Sequence, residues 1–190
     1  MVKKIVGTGV LLVLALALQA GVKMYTLKSP DGKVKLEVTA GQGIAYSLFY
    51  DGRLLLKPSR IALHTDLPEA DHWENIRITG TKQRHVSETV QAPFYRVKEF
   101  GIDCNELELR LNNGFSLLMR AYNDGMAYRF VAGRKGEMTV VEERAEFNFA
   151  DDFEAYIPYS TNPKDPWNMA FQNFYTKAPL TQYNTELPAF

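Results

Sequence analysis

Cysteine is almost absent from this sequence, and its scarcity excludes two kinds of site. Cys104 is the only cysteine in 190 residues, so no internal disulfide can form. There is likewise no Cys-x-x-Cys pair for a metal or a redox reaction. Cys104 lies between Asp103 and Asn105 with no histidine nearby in the sequence. This context favours a small buried side chain over a nucleophile.

Motifs of the common catalytic sites are also missing. The three histidines, His64, His72 and His85, do not have the His-Glu-x-x-His spacing of a zinc enzyme. The sequence contains neither a glycine-rich phosphate-binding loop nor the Gly-x-Ser-x-Gly turn of serine hydrolases. A motif search therefore assigns no catalytic residue.

Charge of one sign does not dominate the chain. Lysine and arginine together number 22, as do aspartate and glutamate. A near-neutral chain without a basic run argues against nucleic acid as a partner. Adjacent acidic pairs occur at Glu142-Glu143 and Asp151-Asp152, but neighbours on a strand point to opposite faces. Such pairs cannot converge as the two carboxyl groups of a glycosidase do, and we interpret them as solvated surface charge.

The first 20 residues have the three parts of a secretory signal peptide. Lys3 and Lys4 form a short positive start, residues 5–18 are apolar, and Gln19-Ala20 gives a small-residue exit. We expect cleavage after Ala20 and a secreted or periplasmic product without membrane contact. A membrane anchor is the alternative, but the apolar run is shorter than the roughly 20 residues that a span needs. No cysteine follows the run directly, so a lipoprotein attachment site is absent.

Residues 115–131, FSLLMRAYNDGMAYRFV, carry the clearest strand signal in the chain. Apolar and polar residues alternate on both sides of Asn123-Asp124-Gly125, which is the pattern of strands with one buried face. Asp-Gly tolerates the positive φ angles of a tight hairpin turn, so we predict two strands joined there. A glycine bulge within one continuous strand is the competing interpretation.

Shorter strand signals, separated by turns, fill the rest of the chain. Leu107, Leu109 and Leu111 share one face, and Asp51-Gly52 is a second hairpin signal. No segment keeps apolar residues at helical spacing for three turns. We therefore predict an all-β sandwich or barrel. The other expected features are an outer strand at 33–38, strands at 44–50 and 53–57, a break at 58–60, two short strands between 76 and 90, and strands at 95–100 and 138–149.

The C-terminal region is rich in aromatic rings and planar amides. Rings pack on the apolar faces of pyranoses and amides bond their hydroxyls, so this composition predicts a carbohydrate site. The alternative is that Trp167, Phe171 and Tyr175 close one end of the core, and composition alone favours it. The residues concerned are Trp167, Asn168, Gln172, Asn173, Phe174, Tyr175 and Asn184.

Four groups of short motifs give the sequence a resemblance to a known family. In chain order they are SPDGK at 29–33, YDGR at 50–53 with KPS at 57–59, YNDGMAYRF at 122–130, and FQNFY at 171–175. In this order, after a signal peptide, they resemble the N-terminal domain of glycoside hydrolase family 97. That family contains secreted α-glucosidases and α-galactosidases associated with the use of starch and other glycans.

The resemblance implies a fold and a place in a larger enzyme. The fold is an antiparallel β-super-sandwich similar to the galactose mutarotase fold. Residues 21–190 would be an incomplete form of this domain, truncated at its C-terminal side. The (β/α)-barrel that carries the catalytic carboxylates would be missing from this chain. That barrel, part of the same polypeptide, would be the domain's partner, and the fragment alone would be inactive.

The resemblance also implies site residues. The domain would lend loops to the active site, and we assign Trp167, Asn173 and Tyr175 to an oligosaccharide. It would also give one carboxylate to a calcium ion (Ca2+) that the barrel mostly ligates. By motif position this ligand falls at Gln172, where the family typically has Glu. A glutamine oxygen can ligate calcium but lacks the charge that affinity follows.

We therefore predict the carbohydrate-binding N-terminal domain of an α-glucosidase-like enzyme that hydrolyses α-glycosidic bonds of oligosaccharides. One alternative is a free-standing carbohydrate-binding module with Trp167 and Tyr175 as its platform. Another is a structural domain whose aromatic end docks on a partner. Residues 186–190 look like the start of another strand and would be poorly buried at a free terminus. We accordingly expect a fragment of a longer polypeptide, with poor solubility when residues 21–190 are expressed alone.

Overall fold

The chain is almost entirely β-structure in a computed structural model that describes residues 23–160, 162, 164–165, 173–187 and 189. The predicted signal peptide at 1–20 lies outside these residues. A short 3₁₀ turn, Leu180–Gln182, follows the last strand. The strands are β1 Lys23–Lys28, β2 Val34–Gly41, β3 Gly43–Tyr50, β4 Arg53–Thr65, β5 Ile78–Gln91, β6 Glu99–Leu111, β7 Phe115–Tyr122, β8 Gly125–Ala132, β9 Val140–Ala145, β10 Glu154–Ile157 and β11 Thr176–Pro179.

Two antiparallel sheets pack face to face around one core. The five-stranded sheet has the order β1-β2-β3-β4-β9, and the four-stranded sheet has the order β5-β6-β7-β8. Strands β10 and β11 form a separate two-stranded ribbon. Alternate residues of each strand point into the space between the sheets, and their burial is the main stabilising term. The central side chains are Leu36, Val38, Ile44, Tyr46, Ile61, Leu107, Leu109, Leu117 and Met119. The predicted all-β sandwich is confirmed.

The hairpin predicted at 115–131 is present as β7 and β8. Tyr122 pairs with Gly125, so Asn123 and Asp124 form a two-residue turn. The bulge interpretation is therefore wrong. The reason given for the turn is wrong as well, because Gly125 already belongs to β8 and has no positive φ. Asn123 instead accepts a hydrogen bond at Oδ1 from the backbone N–H of Asp31, at 3.0 Å.

The Asp51-Gly52 hairpin follows the expected chemistry. Asp51 has φ of 48° and Gly52 has φ of 79°, which is the left-handed backbone of a tight turn. This turn joins β3 to β4 and pairs Tyr50 with Arg53. Local turn chemistry therefore set this connection.

Several strand boundaries differ from the sequence prediction. The break expected at 58–60 is absent, because β4 continues to Thr65. The pairing of β4 with β3 shifts register between Leu56 and Ser59, without interrupting the strand. The two short strands expected between 76 and 90 are one long strand, β5, paired along its length with β6. Strand β2 is internal, because β1 covers its edge. Residues 95–98 form a turn, and the strand expected at 138–149 is regular only over β9.

Trp73 joins the two sheets from the loop between β4 and β5. Its indole Nε1 donates to the carbonyl oxygen of Leu63 at 3.0 Å. Its ring lies 5.9 Å from Phe115 and 5.1 Å from Phe130, measured between centroids. The loop between β4 and β5 is therefore fixed by an aromatic cluster. Among the described residues, no helix is long and apolar enough to span a membrane.

The outer face of the four-stranded sheet holds a buried carboxylate. Glu106 is 4% exposed and lies on the side opposite Leu107. Arg84 and Arg120 each donate through Nε to one of its oxygens, at 2.7 and 2.8 Å. Burial raises the pKa of Glu106, but these hydrogen bonds outweigh it and hold the pKa below its usual value. Cys104, two residues earlier, is fully buried, as predicted for a structural thiol.

Candidate functional site: the loop at residues 158–175

The predicted sugar-binding residues all fall in one loop, residues 158–175, which the β10–β11 ribbon closes at its base. The register pairs Ile157 with Thr176, the two residues that flank the loop. Asn173 and Tyr175 belong to its C-terminal arm. Trp167 and Gln172 lie outside the described residues. The ribbon thus holds Asn173 and Tyr175 directly before the start of β11.

The C-terminal arm of the loop presents aromatic rings to solvent. Tyr175 is 66% exposed and the neighbouring Phe174 is 96% exposed. Tyr175 therefore does not close the core, and that alternative from composition is wrong for this residue. Adjacent exposed rings are a feature of interaction surfaces.

Asn173 carries an amide with unused hydrogen-bonding capacity. Its residue is half-buried, and its Nδ2 atom is buried without a hydrogen-bond acceptor among the described residues. A buried amide that lacks a partner costs stability, so such groups need an explanation. A hydroxyl-bearing ligand or an adjoining polypeptide segment would supply the missing acceptor.

Hydrogen bonds hold the chain firmly where it leaves the loop. Asp152 accepts from both the backbone N–H and the hydroxyl of Thr181, at 2.9 and 2.7 Å. The backbone hydrogen bond, followed by the hydroxyl, lowers the pKa of Asp152. The hydroxyl of Tyr159 accepts from the backbone N–H of Asn184 at 2.7 Å, and its ring lies 5.7 Å from Tyr183. The ends of the loop are therefore attached to a defined frame.

One face of the ribbon adds residues that the sequence analysis missed. Tyr156 is 63% exposed, and Lys177 pairs with it across the ribbon, with its Nζ 5.8 Å from the ring centroid. Glu154 accepts from Lys177 at 2.9 Å. The alternation in Ala155-Tyr156-Ile157 could have indicated an outward-facing Tyr156, but no sequence signal paired it with Lys177.

The adjacent acidic pairs serve structural contacts in different directions. Asp151 bonds Arg53 at 3.1 Å, whereas Asp152 bonds Thr181. Glu143 accepts from the hydroxyl of Tyr128 at 3.1 Å. Burial, together with this hydrogen bond to a carboxylate, raises the pKa of Tyr128 to about 12. None of these contacts forms a converging carboxyl pair.

The calcium ligand set cannot be built from the part of the chain that the structure describes. There, no three side chains of His, Cys, Asp or Glu come together as a metal group. Gln172 lies outside that part. The prediction asks this chain for a single ligand, and a calcium contribution from Gln172 stays a prediction.

The fold and this surface define the class of the protein: an antiparallel β-sandwich domain with exposed aromatic rings and an amide on one loop. The family model described as glycosyl-hydrolase 97 N-terminal matches residues 27–189. The chain belongs to glycoside hydrolase family 97, as its N-terminal domain.

Two curated relatives carry the same kind of activity in their names. A retaining alpha-galactosidase of Bacteroides thetaiotaomicron is 38% identical over 177 residues, which is 90% of this chain and 26% of that protein. A probable retaining alpha-galactosidase of Streptomyces bingchenggensis is 26% identical over 158 residues, 81% of this chain and 24% of that protein. The chain thus spans about a quarter of the length of these relatives.

Solved structures share the fold. A glycoside hydrolase family 97 enzyme from a Pseudoalteromonas species, in complex with panose, matches with a TM-score of 0.64 and 16% identity. That match covers 83% of this chain and 25% of the other. A beta-arabinopyranosidase matches with a TM-score of 0.62 and 23% identity, over 72% of this chain and 23% of the other. At these identities the likeness concerns the fold alone.

Proposed function

We propose that this chain is the sugar-facing N-terminal domain of an α-galactosidase of family 97. The observation that carries the proposal is the loop at 158–175, which presents Tyr175 to solvent and holds an amide without an acceptor at Asn173. The relative at 38% identity, a retaining alpha-galactosidase, supports α-galactosides over α-glucosides as substrates. The catalytic part would lie in sequence that this chain does not include.

In this proposal the loop binds substrate and does not perform the chemistry. The rings of Tyr175 and Trp167 would pack on the apolar face of a pyranose, and Asn173 would hydrogen-bond a sugar hydroxyl. Residues that bind ground state and transition state equally lower KM without raising kcat. The catalytic acid and nucleophile would come from the adjoining (β/α)-barrel.

The first test compares two purified proteins on a chromogenic α-galactoside. One is residues 21–190, and the other is the intact polypeptide produced from the natural gene with whatever sequence follows Phe190. Turnover by the intact polypeptide alone is expected. Turnover by residues 21–190 would contradict the assignment of catalysis to a separate part. Micromolar binding of melibiose by residues 21–190 would instead favour a free-standing binding module.

The second test asks whether the loop contacts sugar. Tyr175→Ala in the intact polypeptide should raise KM about tenfold with kcat nearly unchanged, because one stacked ring contributes roughly 1.4 kcal/mol. Met24→Ala is the control, since Met24 is 62% exposed at the start of β1, at the opposite end of the sandwich. Equal KM values for Tyr175→Ala and the unchanged enzyme would show that Tyr175 does not contact the substrate.

Two further parts of the proposal concern calcium and export. Gln172→Glu in the intact polypeptide should tighten calcium binding, because a carboxylate adds charge to the ligand set. Isothermal titration with calcium checks this, and an unchanged affinity would exclude Gln172 as a ligand.

We also propose export to the periplasm or medium. N-terminal sequencing of the exported protein should begin at Gly21.

A further inference from the structure

The hairpin formed by β5 and β6 extends well beyond the sheet to which it belongs. Strand β7 pairs with β6 only between Asn105 and Arg110. Beyond that point, residues 86–91 and 99–104 pair only with each other, from Val86–Cys104 to Gln91–Glu99. The Val86–Cys104 pair is buried at the base, so five residues per strand project, an arm of about 17 Å. The arm therefore projects from one end of the sandwich.

The tip of this arm, residues 92–98, is apolar, cationic and exposed. Phe94 is 98% exposed, Tyr95 69% and Val97 54%. Arg96 and Lys98 alternate with these residues, and the segment has no acidic side chain. A phenylalanine held almost completely in water is unusual on a finished surface, and clustered exposed apolar residues mark interaction sites.

Contacts within the tip hold it in one shape. The backbone N–H of Ala92 donates to the carbonyl of Lys98 at 2.7 Å, and the Nζ of Lys98 donates to the carbonyl of Pro93 at 2.6 Å. The ring of Tyr95 lies edge-on to Phe100, with 6.5 Å between centroids. A surface that is already ordered loses less entropy on binding than a flexible one. The tip thus has the properties of a preformed docking element.

The arm leaves the sandwich at the same end as the segment that leads to the loop at 158–175. At this end, Asn105 at the base of the arm donates to the carbonyl of Lys28, and Asp31 in the next turn contacts Asn123. The β3–β4 turn lies at the same end, and Arg53 there pairs with Asp151, from which the chain continues into β10. One body placed against this end can touch both features.

We propose that the tip of the β5–β6 hairpin is the second docking contact between this domain and the catalytic part of the enzyme. This rests on the proposed function, since it takes the catalytic part as the occupant. About three-quarters of each curated relative lies outside the matched region, so a much larger body adjoins this domain in those proteins. The chemistry of the tip defines its counterpart: an apolar socket for Phe94 with carboxylates at its rim for Arg96 and Lys98.

Photo-crosslinking of the intact polypeptide tests the contact. Benzoylphenylalanine is placed at Phe94 and, as the matched control, at Val140, which is 50% exposed on β9 near the opposite end. Mass spectrometry should find a cross-link from position 94 into the catalytic part, within one molecule, and none from position 140. A cross-link from position 94 into the remaining strands of this domain, a cross-link between two copies, or none from position 94, would overturn the inference.

A pair of variants gives a second readout. Phe94→Ser with Arg96→Glu should lower the melting temperature of the intact polypeptide, because the docking contact is lost. Equal melting temperatures for the intact variant and its parent would contradict the proposal. The assay of α-galactoside turnover distinguishes the docking contact from the proposed function. An active enzyme without the cross-link would contradict only the docking contact. A gene that encodes no catalytic part would contradict the docking contact and the proposed function together.

Discussion

At the scale of single residues, Glu106 shows how context decides the role of a charge. Its carboxylate is buried on an outer sheet face and is bonded by two arginines, Arg84 and Arg120. In the sequence it is one of several acidic residues that alternate with leucines, and nothing distinguished it from Glu108. Partners on β5 and β7 make the difference, and pairing across strands is a tertiary property.

Glu106→Gln should lower the free energy of unfolding by about 2 kcal/mol at pH 7, because glutamine keeps only one acceptor oxygen, turns an NH2 donor toward the other arginine and removes the charge. The pKa of Glu106 is lowered in the folded protein. Its stabilisation is therefore present above the unfolded pKa of roughly 4.3 and disappears as pH falls through the folded pKa. Urea unfolding at pH 7 and pH 3 checks both parts. Glu108→Gln is the control, and an equal loss for the two variants would contradict the prediction.

At the scale of elements, turn chemistry and a loop tryptophan hold the sandwich together in different ways. The β3–β4 turn depends on Gly52, whose φ of 79° is unfavourable for other residues. Trp73 depends on long-range contacts to β7 and β8. The first could be read from two adjacent residues, whereas the second needed the complete fold.

Gly52→Ala should destabilise the protein by about 1 kcal/mol, because the added Cβ disfavours a left-handed backbone. Gly101 offers a matched control on β6: it has no positive φ, and a Cβ there would meet no atom within 4 Å. Gly101→Ala should be neutral or slightly stabilising. Thermal melts of the two variants provide the comparison, and similar losses would argue against backbone strain as the cause.

Trp73→Ala should cost about 4 kcal/mol, because it leaves a cavity between the sheets. Trp73→Phe keeps a ring in place but removes the hydrogen bond to Leu63, so a loss of about 1 kcal/mol is expected. Denaturant unfolding measures both values. If both variants were as stable as the parent protein, the packing between the sheets would not depend on this side chain.

At the scale of the whole molecule, exposed aromatic residues gather outside the core. Phe94, Phe147, Phe149, Tyr156 and Phe174 are each at least 47% exposed. Residues 21–190 expressed alone should therefore self-associate at micromolar concentration. Sedimentation velocity of this fragment tests the expectation, with Phe94→Ser and Phe174→Ser reducing the association. A monomer with a cooperative melt would show that these faces need no cover.

The candidate site divides between sequence and structure in the same way. Composition singled out Trp167, Gln172, Asn173 and Tyr175, and the family resemblance gave Gln172 its role as a calcium ligand. The exposure of Tyr175 and the buried amide of Asn173 came only from the structure. The partnership of Tyr156 with Lys177 was not predictable, because 20 residues separate them and only the ribbon register brings them together.

The sequence by itself determined the β class, the hairpins at Asp51-Gly52 and at 115–131, and the buried face of β6. These depend on a two-residue period and on turn chemistry, which act over a few neighbouring residues. Tertiary structure decided the pairing of β4 with β9, the burial of Glu106 and the projection of the β5–β6 arm by about 17 Å. These features depend on contacts between segments that are distant in the sequence. Such contacts contribute to stability only when the whole sandwich has formed.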